Sequence, residues 1–121
     1  MPIKSILVVD DSATDRHYLS DLLAKNGYKV STAESAEEAF AKAKELRPDL
    51  VLMDVVMPGQ NGFQATRALT KDEATKQIPI ILCTSKGQET DKTWGIRQGA
   101  RDYIVKPVNG PELLAKISAL R

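Results

Sequence analysis

Short apolar runs alternate along the chain with longer stretches whose apolar residues recur at helical spacing. The first run, Ile6-Leu7-Val8-Val9, stops at Asp10-Asp11-Ser12. Leu19, Leu22 and Leu23 then share one helical face. Asn26-Gly27 closes that helix, because glycine takes the left-handed conformation a helix end favours. A second strand spans Tyr28 to Ala33. Ser35 and Glu38 make a capping box, the hydroxyl accepting an early backbone N–H while the carboxylate reaches back. Phe40, Ala43 and Leu46 form one face of the second helix, and Pro48 ends it. Leu50-Val51-Leu52-Met53 is unbroken apolar sequence, the pattern of a strand covered on both faces. Asp54 terminates it.

Met57 to Gly62 reads as a loop, and Phe63 to Thr70 as a short helix. A fourth strand covers Ile78 to Cys83, with Pro79 tolerated near its start. Glu89 to Gln98 predicts a fourth helix, weakened by Gly95 at about 1 kcal/mol relative to alanine. Tyr103-Ile104-Val105 is a fifth strand ending at Lys106-Pro107. Pro111 suits the first turn of a last helix whose face is Leu113, Ile117 and Leu120. There is no repeat, low-complexity segment or linker, so one domain over 1–121 is expected. Five strand–helix units in this order predict an α/β fold, a parallel sheet with helices on both faces.

Charge narrows the picture only slightly. Seventeen Lys and Arg against sixteen Asp and Glu leave a net charge of +1. That balance gives no general pull toward nucleic acid or an anionic membrane. The lone cysteine, Cys83, excludes an internal disulfide and fits a reducing compartment. It reads as a buried, inert strand residue. The first apolar run ends in two aspartates and is no signal peptide. No run approaches the ~20 apolar residues of a membrane span. A cytoplasmic protein without membrane insertion is expected. His17, the one histidine, reads as a surface or capping residue.

The reactive residues gather at strand ends. In open α/β sheets, ligands bind beyond the carboxyl ends of the strands, where the strand order reverses. Here strand 1 ends in Asp10-Asp11, strand 3 in Asp54, strand 4 in Thr84-Ser85 and strand 5 in Lys106. In a sheet of order 2-1-3-4-5, strands 1 and 3 are neighbours about 5 Å apart. Two unit charges at that distance repel by roughly 3 kcal/mol at an effective dielectric near 20. A hard divalent ion relieves the repulsion, and oxygen ligands select Mg²⁺. The Lys106 ammonium and a strand-4 hydroxyl suit phosphate oxygens. Together these groups describe a phosphoryl site. Asp54 is the best nucleophile, standing alone at the end of the most apolar strand.

Those residues also carry a resemblance. Val9-Asp10-Asp11-Ser12, Leu52-Met53-Asp54-Val55-Val56-Met57-Pro58 with Gly62, Cys83-Thr84-Ser85, and Gly99 through Pro107 follow one another in order. Over its whole length the chain resembles the receiver domains of bacterial response regulators. The resemblance implies a doubly wound, flavodoxin-like sheet of order 2-1-3-4-5 with five helices. It implies that Asp10, Asp11, Asp54 and the Val56 backbone carbonyl hold Mg²⁺. Asp54 would take phosphate from a phosphohistidine on a histidine kinase, with Thr84 and Lys106 as phosphoryl ligands. A cis Lys106-Pro107 peptide is common in such domains. Asn61 through Arg67, Gln88 through Lys92 and Trp94 through Val108 further resemble the stand-alone PilH-type regulators of twitching motility. Those are served by a chemotaxis-type kinase.

In such a switch Thr84 moves toward the phosphoryl oxygens, and Tyr103 enters the space it leaves. The readout is then the face of the fourth helix, fifth strand and fifth helix, which meets a separate protein target. Plainer readings stand beside these. Asp10-Asp11 can be an acidic turn capping helix 1, and Tyr103 an ordinary core or rim aromatic. Trp94 either anchors a partner or packs inward. Gly95 marks either a short, mobile helix or a close packing partner. Val56 offers nothing to orient a water, which predicts slow self-dephosphorylation. Rival classes fit less well. An aspartyl phosphohydrolase would want an acid where Val56 stands, and a cap domain. A flavodoxin-like cofactor binder would want a Ser-, Thr- or Gly-rich loop after strand 1. A degenerate receiver would lack site residues present here. The chain is therefore expected to be no enzyme beyond its own phosphorylation and dephosphorylation.

Overall fold

A computed structural model describes residues 3–55, 61–84, 93 and 95–120. The strands are β1 (Ser5–Val9), β2 (Lys29–Ala33), β3 (Leu50–Asp54), β4 (Ile80–Thr84) and β5 (Asp102–Val105). The helices are α1 (Ala13–Lys25), α2 (Ala36–Leu46), α3 (Gly62–Lys71), α4, seen at 93 and 95–97, and α5 (Gly110–Ala119). All strand pairings are parallel, and the sheet order is β2-β1-β3-β4-β5.

Alternation along the central strands explains their continuous hydrophobicity. Leu50 and Leu52 point into one core with Ile6 and Val8, beneath Leu19 and Leu23 of α1 and Leu113 and Ile117 of α5. Val51 and Met53 point into the other with Leu7 and Val9, beneath Ala36, Ala39 and Ala43 of α2 and Ala65 and Leu69 of α3. Both faces of β3 are therefore buried, and each such Leu or Val contributes about 1.5–3 kcal/mol of burial. No helix among the described residues is long and apolar enough to cross a membrane.

The helix ends refine the predicted boundaries. Gly27 has φ +90°, the left-handed turn expected after Asn26. Ser35 caps α2 through the Glu38 N–H, but the Glu38 carboxylate accepts from the Glu34 N–H, one residue before the cap. Arg47 itself turns left-handed, so α2 stops before Pro48 acts, and Leu46 in its last turn is half exposed instead of facing the core. Strand 4 begins at Ile80, two residues later than predicted: the Pro79 carbonyl accepts from the Val51 N–H, but proline has no N–H to donate to the ladder. Gly95 has a packing reason: a Cβ there would lie 2.4 Å from Leu82 Cδ1 and 3.3 Å from Phe63 Cε1. Trp94 lies outside the described residues.

Candidate functional site

Three strand ends converge at the carboxyl edge of the sheet. Asp10 follows β1, Asp54 is the last residue of β3, and Lys106 follows β5. Their neighbours in the sheet hold them there. The Asp10 N–H donates to the Ala33 carbonyl at 3.1 Å, and its own carbonyl accepts from Arg16 Nη1 at 2.7 Å. Asp10 Oδ1 accepts from the Ser12 N–H at 2.9 Å, while Ser12 Oγ caps α1 through the Asp15 N–H. The acidic turn thus starts a helix and still directs one carboxylate oxygen inward. Asp54 pairs with Cys83 in the sheet. Just beyond it, the Gly62 N–H donates to the Val55 carbonyl at 2.9 Å and brings α3 against the end of β3. Only glycine fits there, since a Cβ would stand 2.2 Å from the Asp54 carbonyl oxygen.

Lys106 joins these acids. Its Nζ donates to Asp10 Oδ2 at 2.8 Å, Asp15 Oδ2 at 3.1 Å and Asp54 Oδ1 at 3.2 Å. Asp15 lies in the first turn of α1 and was not singled out from sequence, because an acid there is ordinary helix-dipole chemistry. Asp10 and Asp54 are buried, Asp11 is exposed, and ligand oxygens of all three lie within 4.8 Å of one another. Burial pushes the Asp54 carboxyl up to about 6, Asp10 and Asp11 add repulsion, and Lys106 offsets part of the rise. Burial alone would lower the Lys106 ammonium; the bonds to Asp10 and Asp15 and the charge of Asp54 outweigh it and raise it. Burial pushes the Cys83 thiol up to about 12, which leaves it the unreactive strand residue expected.

Three close oxygens on carboxylates, one of them strained toward protonation, suit a small hard cation. The residues present therefore fit the Mg²⁺ that the family resemblance implies.

Other predicted residues are placed less fully. Thr84 closes β4 opposite Val105, and its side chain lies outside the described part of the structure, as do Val56 and Ser85. Tyr103 in β5 is half-buried against the α2–α3 core, with Lys116 Nζ 5.7 Å from its ring centroid. Lys116 also bonds both Asp102 oxygens at 3.2 Å. The Lys106-Pro107 peptide is cis, as the resemblance implies.

Residues 6–118 match the response regulator receiver domain. The chain belongs to that family. Protein PilH of Pseudomonas aeruginosa is 56% identical over 115 residues, covering 95% of each chain. The phosphate regulon regulator PhoB of the same organism is 42% identical, and the chain spans 51% of it. Among solved structures, the Vibrio cholerae chemotaxis protein CheY4 superposes with a TM-score of 0.92 at 34% identity, covering 98% of this chain and 99% of that one. CheY in the CheX–CheY–BeF3–Mg²⁺ complex from Borrelia burgdorferi gives 0.90 at 26% identity, covering 96% and 87%. The receiver fold and its sheet order are those of the two-component signalling proteins.

Proposed function

We propose that this receiver accepts a phosphoryl group on Asp54 from a phosphohistidine of a chemotaxis-type histidine kinase. The observation that carries the reading is the convergence of Lys106 on Asp54 at 3.2 Å beside two further carboxylates. A carboxylate oxygen of Asp54 attacks phosphorus, the phosphorus–nitrogen bond breaks, and the imidazole nitrogen leaves with the electron pair. Asp10, Asp11 and Asp54, with the Val56 carbonyl, would hold Mg²⁺, which when bound neutralises charge on the phosphoryl oxygens. Lys106 would supply an ammonium to those oxygens. Thr84 donates a hydroxyl and couples to Tyr103, so that the surface of α4, β5 and α5 reports the change to a protein target. The chain turns over no external substrate beyond taking and losing this group.

The likeness to PilH over 95% of both chains supports a role in type IV pilus twitching motility or a related chemotaxis-like pathway. In that role the chain carries a signal or drains phosphate from a shared kinase. The test is incubation with acetyl phosphate or a phosphorylated kinase, with and without Mg²⁺. Label should appear on the wild type with Mg²⁺ and be absent from Asp54→Ala. Label surviving on Asp54→Ala would refute the assignment.

A further inference from the structure

Lys106 carries three ammonium hydrogens and meets three carboxylates, so its donors are matched one to one. The three acceptors are not equivalent. The side chains of Asp10 and Asp54 are 1% and 7% exposed, while that of Asp15 is 46% exposed. Asp10 and Asp54 also belong to the acid cluster whose oxygens can share a cation, and Asp15 does not. Asp15 itself lines an open, largely apolar cleft of about 400 Å³, with Thr14, Tyr18 and Leu19 of α1 and with Lys106, Pro107 and Val108.

Two cations then contend for the same two carboxylates. A divalent ion drawn to Asp10, Asp11 and Asp54 would repel the Lys106 ammonium and compete for two of its three acceptors. A lysine left without partners in a part-buried place opposes that exchange. We infer that Asp15 is a positioning residue which retains Lys106 at the rim of the site while a cation occupies the acid cluster. The inference rests on the proposed Mg²⁺ site and assigns the partner that lets ion and lysine coexist. Asp15 supplies an anion outside the cluster, the cleft supplies room, and Lys106 stays within reach of Asp54.

Calorimetric titration with MgCl₂ of the wild type, Asp15→Asn, Lys106→Ala and the double variant tests this. Asp15→Asn should weaken Mg²⁺ binding about threefold or more when Lys106 is present, and have little effect when Lys106 is alanine. Asp15→Glu should stay near the wild type. A loss of the same size in both backgrounds would mean that Asp15 acts as a bulk negative charge, and would overturn the inference. Unchanged affinity in Asp15→Asn would overturn it too. A purely structural role in α1 would shift the melting temperature without this dependence on Lys106. Absence of Mg²⁺ binding by the wild type would instead bring down the metal-site reading itself, and the inference with it.

Discussion

Lys106 Nζ lies 2.8 Å from Asp10 Oδ2, an ion pair between residues 96 positions apart in the chain. It joins the end of β5 to the end of β1 across the carboxyl edge of the sheet, although β3 and β4 lie between those strands. Because Asp10 is 1% exposed, the pair cannot be judged as a surface salt bridge. Removing one partner leaves a buried charge uncompensated.

Lys106→Ala should therefore destabilise the metal-free protein by about 2–4 kcal/mol, less than for a fully buried pair because the lysine is itself part exposed. Mg²⁺ should restore more stability to this variant than it adds to the wild type, because the ion meets unpaired acids and no competing ammonium. Urea unfolding with EDTA and with excess Mg²⁺ measures both effects. Equal Mg²⁺ stabilisation of the two proteins would show that lysine and ion do not compete.

Asp54 predicts a pH dependence of stability. Its carboxyl sits near 6 in the folded chain against an ordinary value of 3.8. The folded state then binds the proton more tightly than the unfolded state. The ionised carboxylate costs stability above pH 6, and the cost disappears as pH falls from 6 toward 4. Asp54→Asn should stabilise the metal-free protein at pH 7.5 by on the order of 1–3 kcal/mol. That advantage should shrink as pH falls and vanish only below the ordinary value of 3.8, as followed by denaturant melts across the range.

How much of this was legible in sequence depended on whether a residue's role is local. Asp10, Asp54 and Lys106 could be picked out because each interrupts an apolar run, and the rules of parallel sheets bring such ends together. The strands showed themselves in the same way. Asp15 could not be picked out, because an acid three residues after Ser12 looks the same whether it serves a helix or a distant lysine. Asn61 and Gln64 form a full capping box for α3, with bonds of 2.9 and 3.0 Å, in a stretch that reads as loop and early helix. Its Asn-x-x-Gln spacing was the available signal. Leu46 fits the helical period yet is half exposed, because the helix ends beside it and periodicity does not see ends.

Asp49 ties the opposite edge of the sheet. Its Oδ2 accepts from the Lys4 and Ser5 N–H groups at 2.8 and 3.0 Å, joining the start of β1 to the residue before β3. The Lys4 N–H bond, partly opposed by burial, holds the carboxyl below its ordinary value. Its contribution is then present above the ordinary carboxylate range and is lost as pH falls through the lowered folded value. Asp49→Ala should cost about 1 kcal/mol at neutral pH, discounted for its partial exposure. The gap to wild type should close in acid-unfolding curves as pH falls through that lowered value. A gap that persists there would mean that packing, not the carboxylate, supplies the effect.

Two glycines that each face crowded space should respond differently to alanine, because they face different atoms. A Cβ at Gly62 would stand 2.2 Å from the Asp54 carbonyl oxygen and 2.8 Å from Val55 Cα, both backbone. Neither can move without shifting the end of β3 that carries Asp54. A Cβ at Gly95 would stand 2.4 Å from Leu82 Cδ1, the tip of a side chain that can change rotamer. Alanine at 95 also recovers about 1 kcal/mol of helix propensity. Gly62→Ala should therefore cost about 2–4 kcal/mol, at the upper end for overpacking, and disturb Asp54 directly. Gly95→Ala should cost at most about 1–2 kcal/mol, the overpacking less the helix gain. Thermal melts rank the two. Labelling by acetyl phosphate should fall in Gly62→Ala even at temperatures where the variant is fully folded, and hold in Gly95→Ala. The reverse order would place the constraint on Asp54 in α4 instead of in the close approach of α3.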